Sequence, residues 1–288
     1  MTLQTDAVNL EQRLAGVIAS RRTLLTAYSG GVDSTVVAAV ARRTLGKQNA
    51  PAAIGDSASL PRYELEEARR IAEQLDLNLI EVRPGEQDDP DYRANDGSRC
   101  YFCKTHLYGA LGELAERLSI DWIANGTNRD DTGDHRPGLV AAEENRVVSP
   151  LLEADLGKAE VRVLAEHLKL PNADKPAAAC MASRLQYGTA VTPQRLAMIE
   201  DAETVLREMG FAGFRVRHHE NESADLPPVA MARIEVPIDQ LQKLVDDGVR
   251  SALVSRLNAI GYVYVTLDLA GFRSGSANVV LTRSAANR

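Results

Sequence analysis

The chain alternates short apolar runs with longer segments in which apolar residues recur at helical spacing. Residues 10–22 carry an amphipathic helix pattern, and residues 23–28 form an apolar run typical of a buried strand. The alternation continues through predicted helices at 35–45, 64–75, 104–118 and 158–168 and predicted strands at 52–54, 77–82 and 122–124. Strands that alternate with helices predict an α/β fold with a doubly wound parallel sheet, which binds ligands where its strands end.

The pattern changes near residue 190. It predicts a helix at 193–209, helices within 238–259, and strands at 214–219, 230–237 and 263–267. This order predicts a smaller α+β domain, so we expect one domain at 1–190 and a second at 191–288. An insertion at 221–228 interrupts the second domain's predicted hairpin, and residues 284–288 are expected to fray.

Composition and charge narrow the class of protein. The 288 residues carry a net charge of -7, and their Lys and Arg residues are scattered rather than clustered, which argues against a nucleic-acid partner. We find no apolar run of the roughly 20 residues that a membrane span needs, and no secretory signal at the first residues. We therefore expect a cytoplasmic protein without a membrane partner.

One segment between a predicted strand and a predicted helix carries the strongest chemical signal, and it reads Ser29-Gly30-Gly31-Val32-Asp33-Ser34. Consecutive small residues let backbone N–H groups converge on an anion, and the start of the following helix adds a favourable dipole. The hydroxyls of Ser29 and Ser34 supply further donors. The segment is not a Walker A loop, because no Gly-Lys-Ser/Thr follows it.

This hexapeptide resembles the SGGxDS signature of the PP-loop ATP pyrophosphatases, which cleave ATP between its α and β phosphates and form an adenylated intermediate. The resemblance implies that the pyrophosphate of ATP is bound by Ser29, Gly30, Gly31, Asp33 and Ser34. It also implies that Asp33 lies close to Mg²⁺.

Two later segments also follow predicted strands. Asn125-Gly126-Thr127-Asn128 looks like a second contact of this family with ATP, through Gly126 and Thr127. Gly55-Asp56-Ser57 lies where such enzymes approach the nucleoside, and Asp130 and Asp131 are candidates for groups near the metal.

The three cysteines suggest several kinds of chemistry. Cys100 and Cys103 form a CxxC pair, and Cys180 lies far along the chain. Such pairs occur in redox, zinc and iron–sulfur sites. Zinc would need His106 as its fourth ligand, whereas three thiolates hold a [4Fe–4S] cluster and leave one iron open for sulfide. A buried, inert thiol is the ordinary alternative for Cys180, and the residues alone leave these alternatives open.

The sequence resembles the LarE family of ATP-dependent sulfur transferases along nearly its whole length. The segments that carry the resemblance are SGGVDS (29–34), RCYFCK (99–104), NGTNRDD (125–131), CMASR (180–184), RVR (215–217), ARIEVP (232–237) and GFRSGSAN (271–278). The resemblance implies a role in building the nickel-pincer nucleotide cofactor. A carboxylate of pyridinium-3,5-biscarboxylic acid mononucleotide would be adenylated by ATP and converted to a thiocarboxylate.

The resemblance also implies roles for the cysteines. In single-cysteine members, the cysteine matching Cys180 attacks the acyl adenylate, gives up its sulfur and becomes dehydroalanine. This chain departs from that pattern because it also has Cys100 and Cys103. If the three thiolates converge, the resemblance points to members that hold a [4Fe–4S] cluster and turn over repeatedly, and we expect this chain to hold such a cluster. A homo-oligomer is also implied.

The second domain carries the candidates for substrate binding. Arg215 and Arg217 alternate on a predicted strand, so both face one way and suit a phosphate or carboxylate, although a solvated strand face is the ordinary alternative. The resemblance adds Ser183 and Arg184 to this phosphate site. It also pairs Glu203 with Glu235 as ligands of a divalent metal, although a solvated Glu203 is the ordinary alternative. We expect the adjacent His218 and His219 to be surface residues.

Three alternatives remain open. A PP-loop tRNA thiolase would need a basic RNA-binding surface, against which the acidic balance speaks. An amide-forming PP-loop synthetase or amidotransferase would need an ammonia source, and 288 residues show no glutaminase segment. A nucleotide sensor without catalysis would bind ATP but release no pyrophosphate.

Overall fold

The computed structural model describes residues 2–133, 137–221 and 229–273, and the chain divides into two compact units. Met1–Glu86 and Cys100–Ala178 belong to the first unit, whereas Gln87–Arg99 and Ala179–Arg288 belong to the second. The expected domain boundary at 190 therefore lies within the second unit, which also includes an earlier segment of the chain. No helix in the described ranges is long and apolar enough to cross a membrane.

The first unit is built on a parallel sheet. Its strands are β1 (Leu24–Ala27), β2 (Ala52–Gly55), β3 (Leu79–Val82) and β4 (Trp122–Ala124), in the order β3-β2-β1-β4. All three pairings are parallel, with Thr26 beside Ala52 and Leu24 beside Trp122. The carboxyl ends of the four strands therefore lie along one edge, as the predicted fold requires.

Helices cover both faces of this sheet. They are α1 (Thr2–Ala19), α2 (Val32–Leu45), α3 (Arg62–Gln74), α5 (Arg99–Leu118), α6 (Pro137–Glu144), α7 (Pro150–Glu153) and α8 (Lys158–His167). Successive side chains of β1 point to opposite faces, so Leu24 packs with α1, α2 and α8 while Leu25 packs with α5. Both leucines are fully buried, which confirms the doubly wound α/β architecture.

The second unit contains a three-stranded sheet with helices packed on it. Its elements are α4 (Pro90–Ala94), α9 (Pro193–Glu208), β5 (Arg215–Glu220), β6 (Ala230–Glu235), α10 (Leu241–Val245), α11 (Asp247–Ile260) and β7 (Tyr264–Leu267). The sheet order is β5-β6-β7, antiparallel and then parallel. Val216 and Ile234 face a core that includes Leu206 of α9 and Leu257 of α11. The expected smaller α+β unit is confirmed.

The early segment joins the second unit through backbone pairing. Val191 N donates to Arg93 O at 2.9 Å, and Gly188 N donates to Asn95 O at 3.0 Å. The buried Asn95 amide also donates to the carbonyls of Gln186 and Thr189. The sequence pattern did not predict α4, α6 or α7, because helices of four to eight residues are too short to show a helical period.

Candidate functional site

The turn after β1 has a conformation that only glycine supports at its centre. Gly30 has φ +69°, and a Cβ there would lie 2.8 Å from Ala68 Cβ. Beside it, the hydroxyls of Ser29 and Ser34 lie 3.0 Å apart, and Ser29 N donates to Ser34 Oγ at 3.1 Å. The two serines therefore tie the start of the turn to the first turn of α2.

The amino end of α2 presents groups that are suited to an anion. Gly31 precedes the helix, and its carbonyl accepts from Thr35 N at 3.0 Å and from Thr35 Oγ1 at 2.8 Å. The backbone N–H groups of the first helical turn have no partner within the helix, and the helix dipole adds positive potential there. The geometry thus suits a phosphate group.

A second loop, after β4, lies against this turn. A Cβ on Gly126 would come within 2.7 Å of Ser34 N and 3.1 Å of the carbonyl carbon of Asp33. Asn128 Nδ2 donates to Asp33 Oδ1 at 3.0 Å, and Asn125 Oδ1 accepts from Thr127 N. The structure therefore brings together the two segments that the sequence assigned to ATP, and Gly126 is required by the close approach of the two backbones.

Asp33 lies in a partly buried and acidic environment. Burial raises the pKa of its carboxyl group, the hydrogen bond from Asn128 lowers it, and the nearby charge of Asp131 raises it, with a net rise. Asp131 also accepts from Asn128 N at 3.2 Å and lies 3.5 Å from Lys158 Nζ. Asp130 instead accepts from Lys158 N at the start of α8, so it caps that helix.

The segment after β2 is held by ionic and hydroxyl contacts. Asp56 pairs with Arg62 at 2.6 Å, and the same guanidinium donates to Ser57 O. Ser57 Oγ contacts both Ser59 Oγ and the buried Glu86 carboxylate. This arrangement fixes the segment at the same sheet edge as the turn formed by residues 29–34, called the phosphate turn below. Its contact with a nucleoside stays a prediction.

The cysteines lie in both units. Cys100 and Cys103 are one turn apart at the start of α5, where Cys100 is exposed and Cys103 is half-buried. Cys180 is exposed and precedes a short 3₁₀ helix, Met181–Arg184. Within the described ranges, no three His, Cys, Asp or Glu side chains form a group that would hold a metal ion.

The backbone of Cys180 is held by its neighbours in the second unit. Ser183 Oγ donates to Cys180 O at 2.6 Å, and Arg184 Nη1 donates to the same oxygen at 2.8 Å. The Arg184 side chain is only 2% exposed and forms an ion pair with Glu203 at 3.0 Å. In this structure Arg184 therefore positions the cysteine segment, and its predicted contact with a substrate phosphate stays untested.

One face of the second sheet is rich in charge. Arg215 and Arg217 lie on the same face of β5, as their alternation predicts, and Arg217 pairs with the fully buried Glu235 at 2.9 Å. Arg233 also binds Glu235, at 2.9 Å, while Arg217 donates to Ser183 O. Both predicted metal ligands, Glu203 and Glu235, are thus neutralised by arginines, and their role as metal ligands stays a prediction.

Comparisons with known proteins agree with this geometry. A family model described as NAD synthase matches residues 9–88, which include β1, the phosphate turn and α2. The pyridinium-3,5-bisthiocarboxylic acid mononucleotide synthase of Lactiplantibacillus plantarum is 34% identical over 272 residues, covering 94% of this chain and 94% of that protein.

The chain belongs to the LarE family. It is accordingly an ATP-dependent sulfurtransferase with a PP-loop. An uncharacterized protein of Synechocystis is 43% identical over 259 residues, covering 90% of this chain and 93% of that protein. The similarity to the glutamine-hydrolyzing GMP synthase of Clostridium botulinum is narrower, at 27% identity over 65% of this chain and 40% of that protein.

One feature of this LarE-family chain differs from the sequence expectations. His218, predicted to be a surface residue, is fully buried, and its ring contacts Tyr262 Oη at 3.1 Å and Glu220 at 2.9 Å. Burial lowers the pKa of His218, although Glu220 opposes the shift. The sequence prediction failed because the β5 side chain that faces the core happens to be polar. Part of the family segment 271–278 lies outside the described residues.

Asn172 is a further residue that no motif indicated. Its amide donates to Gly30 O in the phosphate turn and to Thr35 Oγ1 in α2, both at 3.0 Å. Since Asn172 lies 142 positions from Gly30 in the chain, only the folded structure brings the two together.

Proposed function

We propose that this chain uses ATP to adenylate a carboxylate of pyridinium-3,5-biscarboxylic acid mononucleotide and converts it to a thiocarboxylate. This step would serve the biosynthesis of the nickel-pincer nucleotide cofactor. The observation that carries the proposal is the match over 94% of the chain to a synthase of the bisthiocarboxylic acid mononucleotide. The packing of Gly126 against Ser34 N supports it, because the two segments expected to contact ATP meet at the start of α2.

The reaction has two stages. A substrate carboxylate oxygen attacks the α-phosphorus of ATP, the bond to the β-phosphate oxygen breaks, and pyrophosphate leaves. The amino end of α2 would stabilise the charge that develops on this leaving group. In the second stage a sulfur nucleophile attacks the acyl carbon and AMP leaves.

Cys180 is the residue that we assign to the second stage. Its thiolate would form a thioester with the substrate. Loss of the Cα proton and cleavage of the Cβ–S bond would then leave the sulfur on the substrate as a thiocarboxylate and convert Cys180 to dehydroalanine. The exposed side chain and the backbone held by Ser183 and Arg184 support this assignment.

A [4Fe–4S] cluster is the alternative sulfur carrier. Cys100 and Cys103 suit two of its thiolate positions, because residues three apart on a helix face the same way. The cluster would need Cys180 as its third thiolate, and the described residues do not form such a three-residue group in this structure. When bound, such a cluster would hold exogenous sulfide on its open iron. Iron and acid-labile sulfide analysis of anaerobically reconstituted protein, with Cys100→Ala beside it, distinguishes the two sulfur sources.

Mg²⁺ would be bound next to the phosphate turn. Asn128 links two carboxylates there, because its side-chain amide donates to Asp33 Oδ1 and its backbone N–H donates to Asp131 Oδ2, and a divalent cation would stabilise both charges. When bound, the ion would neutralise the phosphates of ATP. Asp33 would also orient the loop through its bond with Asn128.

The remaining proposals concern the residues that bind the substrate, the oligomeric state and the compartment. Ser183, Arg184, Arg215 and Arg217 would bind the substrate's phosphate or carboxylate, and Arg215, half-buried beside Phe272, lies on the charged face of β5. We further propose a homo-oligomer that acts in the cytoplasm on a small-molecule nucleotide and binds neither membrane nor nucleic acid.

Pyrophosphate release tests the proposal. Purified protein with ATP and Mg²⁺ is given the biscarboxylic acid mononucleotide, ammonia with a carboxylate substrate, or bulk tRNA. We expect pyrophosphate and AMP only with the mononucleotide. Cys180→Ala should still release pyrophosphate but form no thiocarboxylate. Release that depends on tRNA or ammonia would instead favour a tRNA thiolase or an amide-forming synthetase.

A further inference from the structure

We infer that Asn172 is a positioning residue, which turns the backbone N–H of Gly31 toward the pyrophosphate of ATP. The inference rests on the ATP-dependent function proposed above, and it concerns a residue outside every motif of the sequence. Asn172 is 3% exposed, and its amide nitrogen lies 3.0 Å from Gly30 O.

The orientation of the Asn172 amide follows from its partner. A backbone carbonyl oxygen only accepts hydrogen bonds, so the atom that lies against Gly30 O is the nitrogen, Nδ2. The same nitrogen donates to Thr35 Oγ1, which in turn donates to Gly31 O at 2.8 Å. Asn172 Oδ1 is buried and accepts no hydrogen bond from the described residues, so the side chain serves through its donors.

The peptide bond between Gly30 and Gly31 links this buried contact to the amino end of α2. The carbonyl of Gly30 and the N–H of Gly31 belong to the same trans peptide and point in opposite directions. The Gly30 carbonyl accepts from the buried Asn172 amide, whereas the Gly31 N–H donates to the hydroxyl oxygen of the exposed Ser29 at 3.3 Å. Without the Asn172 donor, a flip of this peptide would turn the Gly30 carbonyl oxygen toward the phosphate and repel it.

The segment that carries Asn172 is held in place from several sides. Leu170 packs into the core beside α8, and Arg162 of α8 donates to the carbonyl oxygens of Ala173 and, at 2.7 Å, Lys175. Lys175 Nζ in turn binds Glu67 of α3 at 2.7 Å and also Glu64. Asn172 therefore acts from a rigid support, which is what positioning a backbone amide requires.

Binding of inorganic pyrophosphate and of AMP separates positioning from general stability. AMP lacks the pyrophosphate group, so the affinity for pyrophosphate should depend on the Gly31 amide and the affinity for AMP should not. We expect Asn172→Asp and Asn172→Ala to bind pyrophosphate and ATP at least about tenfold more weakly in titration calorimetry, with AMP affinity unchanged. Asn145→Asp is the matched control, because Asn145 Nδ2 also donates to a backbone carbonyl, Ala141 O, at 2.8 Å on α6.

Each outcome decides the inference. Unchanged pyrophosphate affinity in Asn172→Ala would overturn it, and so would an equal loss of AMP affinity or an equal loss in Asn145→Asp. If Asn172→Asp does not fold, Asn172→Ala carries the same test without a buried charge. Failure of the wild-type protein to bind pyrophosphate or ATP would overturn the proposed function as well, whereas normal wild-type binding with unaffected variants would overturn only the role of Asn172.

Discussion

Gly126→Ala is the substitution that most directly tests whether two loops build one nucleotide site. The added methyl group would lie 2.7 Å from Ser34 N and 3.1 Å from both the carbonyl carbon and the Cβ of Asp33, against 3.4 Å for ordinary van der Waals contact. The closest of these atoms is backbone, so the loops must separate rather than a side chain rotate. Overpacking of this kind costs about 1–3 kcal/mol.

The expected loss can be read as affinity. If the cost falls on the conformation that binds ATP, the dissociation constant rises about 5- to 140-fold, since about 1.4 kcal/mol corresponds to tenfold. Calorimetric titration of ATP without the carboxylate substrate measures this loss without turnover. Thermal unfolding of the unliganded protein reports the part of the cost that falls on the fold.

Gly109→Ala provides the matched control. A Cβ on Gly109 would meet no atom within 4 Å, and the residue lies inside α5. Replacing a helical glycine with alanine should stabilise the protein by about 0.5–1 kcal/mol and leave ATP affinity unchanged. ATP affinity of wild-type strength in Gly126→Ala would refute the reasoning that the loop after β4 and the phosphate turn act together.

Three further predictions concern charge and burial. Burial raises the pKa of Asp33, so the folded protein binds the carboxyl proton more tightly than the unfolded chain and loses stability as pH rises above the ordinary value of 3.8. Asp33→Asn should therefore raise the melting temperature at pH 7 but not below pH 3.8. An equal gain in melting temperature at the two pH values would contradict this prediction. Burial lowers the pKa of His218, so the free energy of unfolding should decrease as pH drops below 6.5. Denaturant unfolding should show a smaller decrease in His218→Gln than in the wild type. An identical pH dependence in the two proteins would count against this role of His218. Glu203→Gln removes the carboxylate partner of the buried Arg184 and should lower the free energy of unfolding in urea by about 3–5 kcal/mol. Glu208→Gln breaks an exposed ion pair with Arg256 and should lower it by less than about 1 kcal/mol. Similar losses in the two variants would show that the buried ion pair contributes no more than the exposed one.

The sequence predicted the elements of the first unit well because its strands and helices have clear periods. Apolar runs such as 23–28 became β1, and the glycine-rich hexapeptide became the turn before α2. The order of the strands in the sheet could not be predicted from these periods, because strand pairing depends on contacts between segments far apart in the chain. The inclusion of Gln87–Arg99 in the second unit had no sequence signal for the same reason.

The candidate site was predictable where chemistry follows from a local motif. Ser29, Ser34 and Gly126 were found from short segments, and the structure brings them together. Asn172 was missed because its contact with Gly30 depends only on tertiary packing. The contacts of Arg184 with Cys180 O and with Glu203 could likewise not be predicted from the sequence. An arginine that binds a backbone carbonyl has the same sequence signal as one that binds phosphate.

The proposed function is tested most directly by the mass of the product after incubation with ATP, Mg²⁺ and pyridinium-3,5-biscarboxylic acid mononucleotide. We predict a product in which one carboxylate oxygen is replaced by sulfur, formed only with ATP and in proportion to the AMP released. Pyrophosphate release that leaves the biscarboxylate unchanged, or that yields an amide, would contradict it.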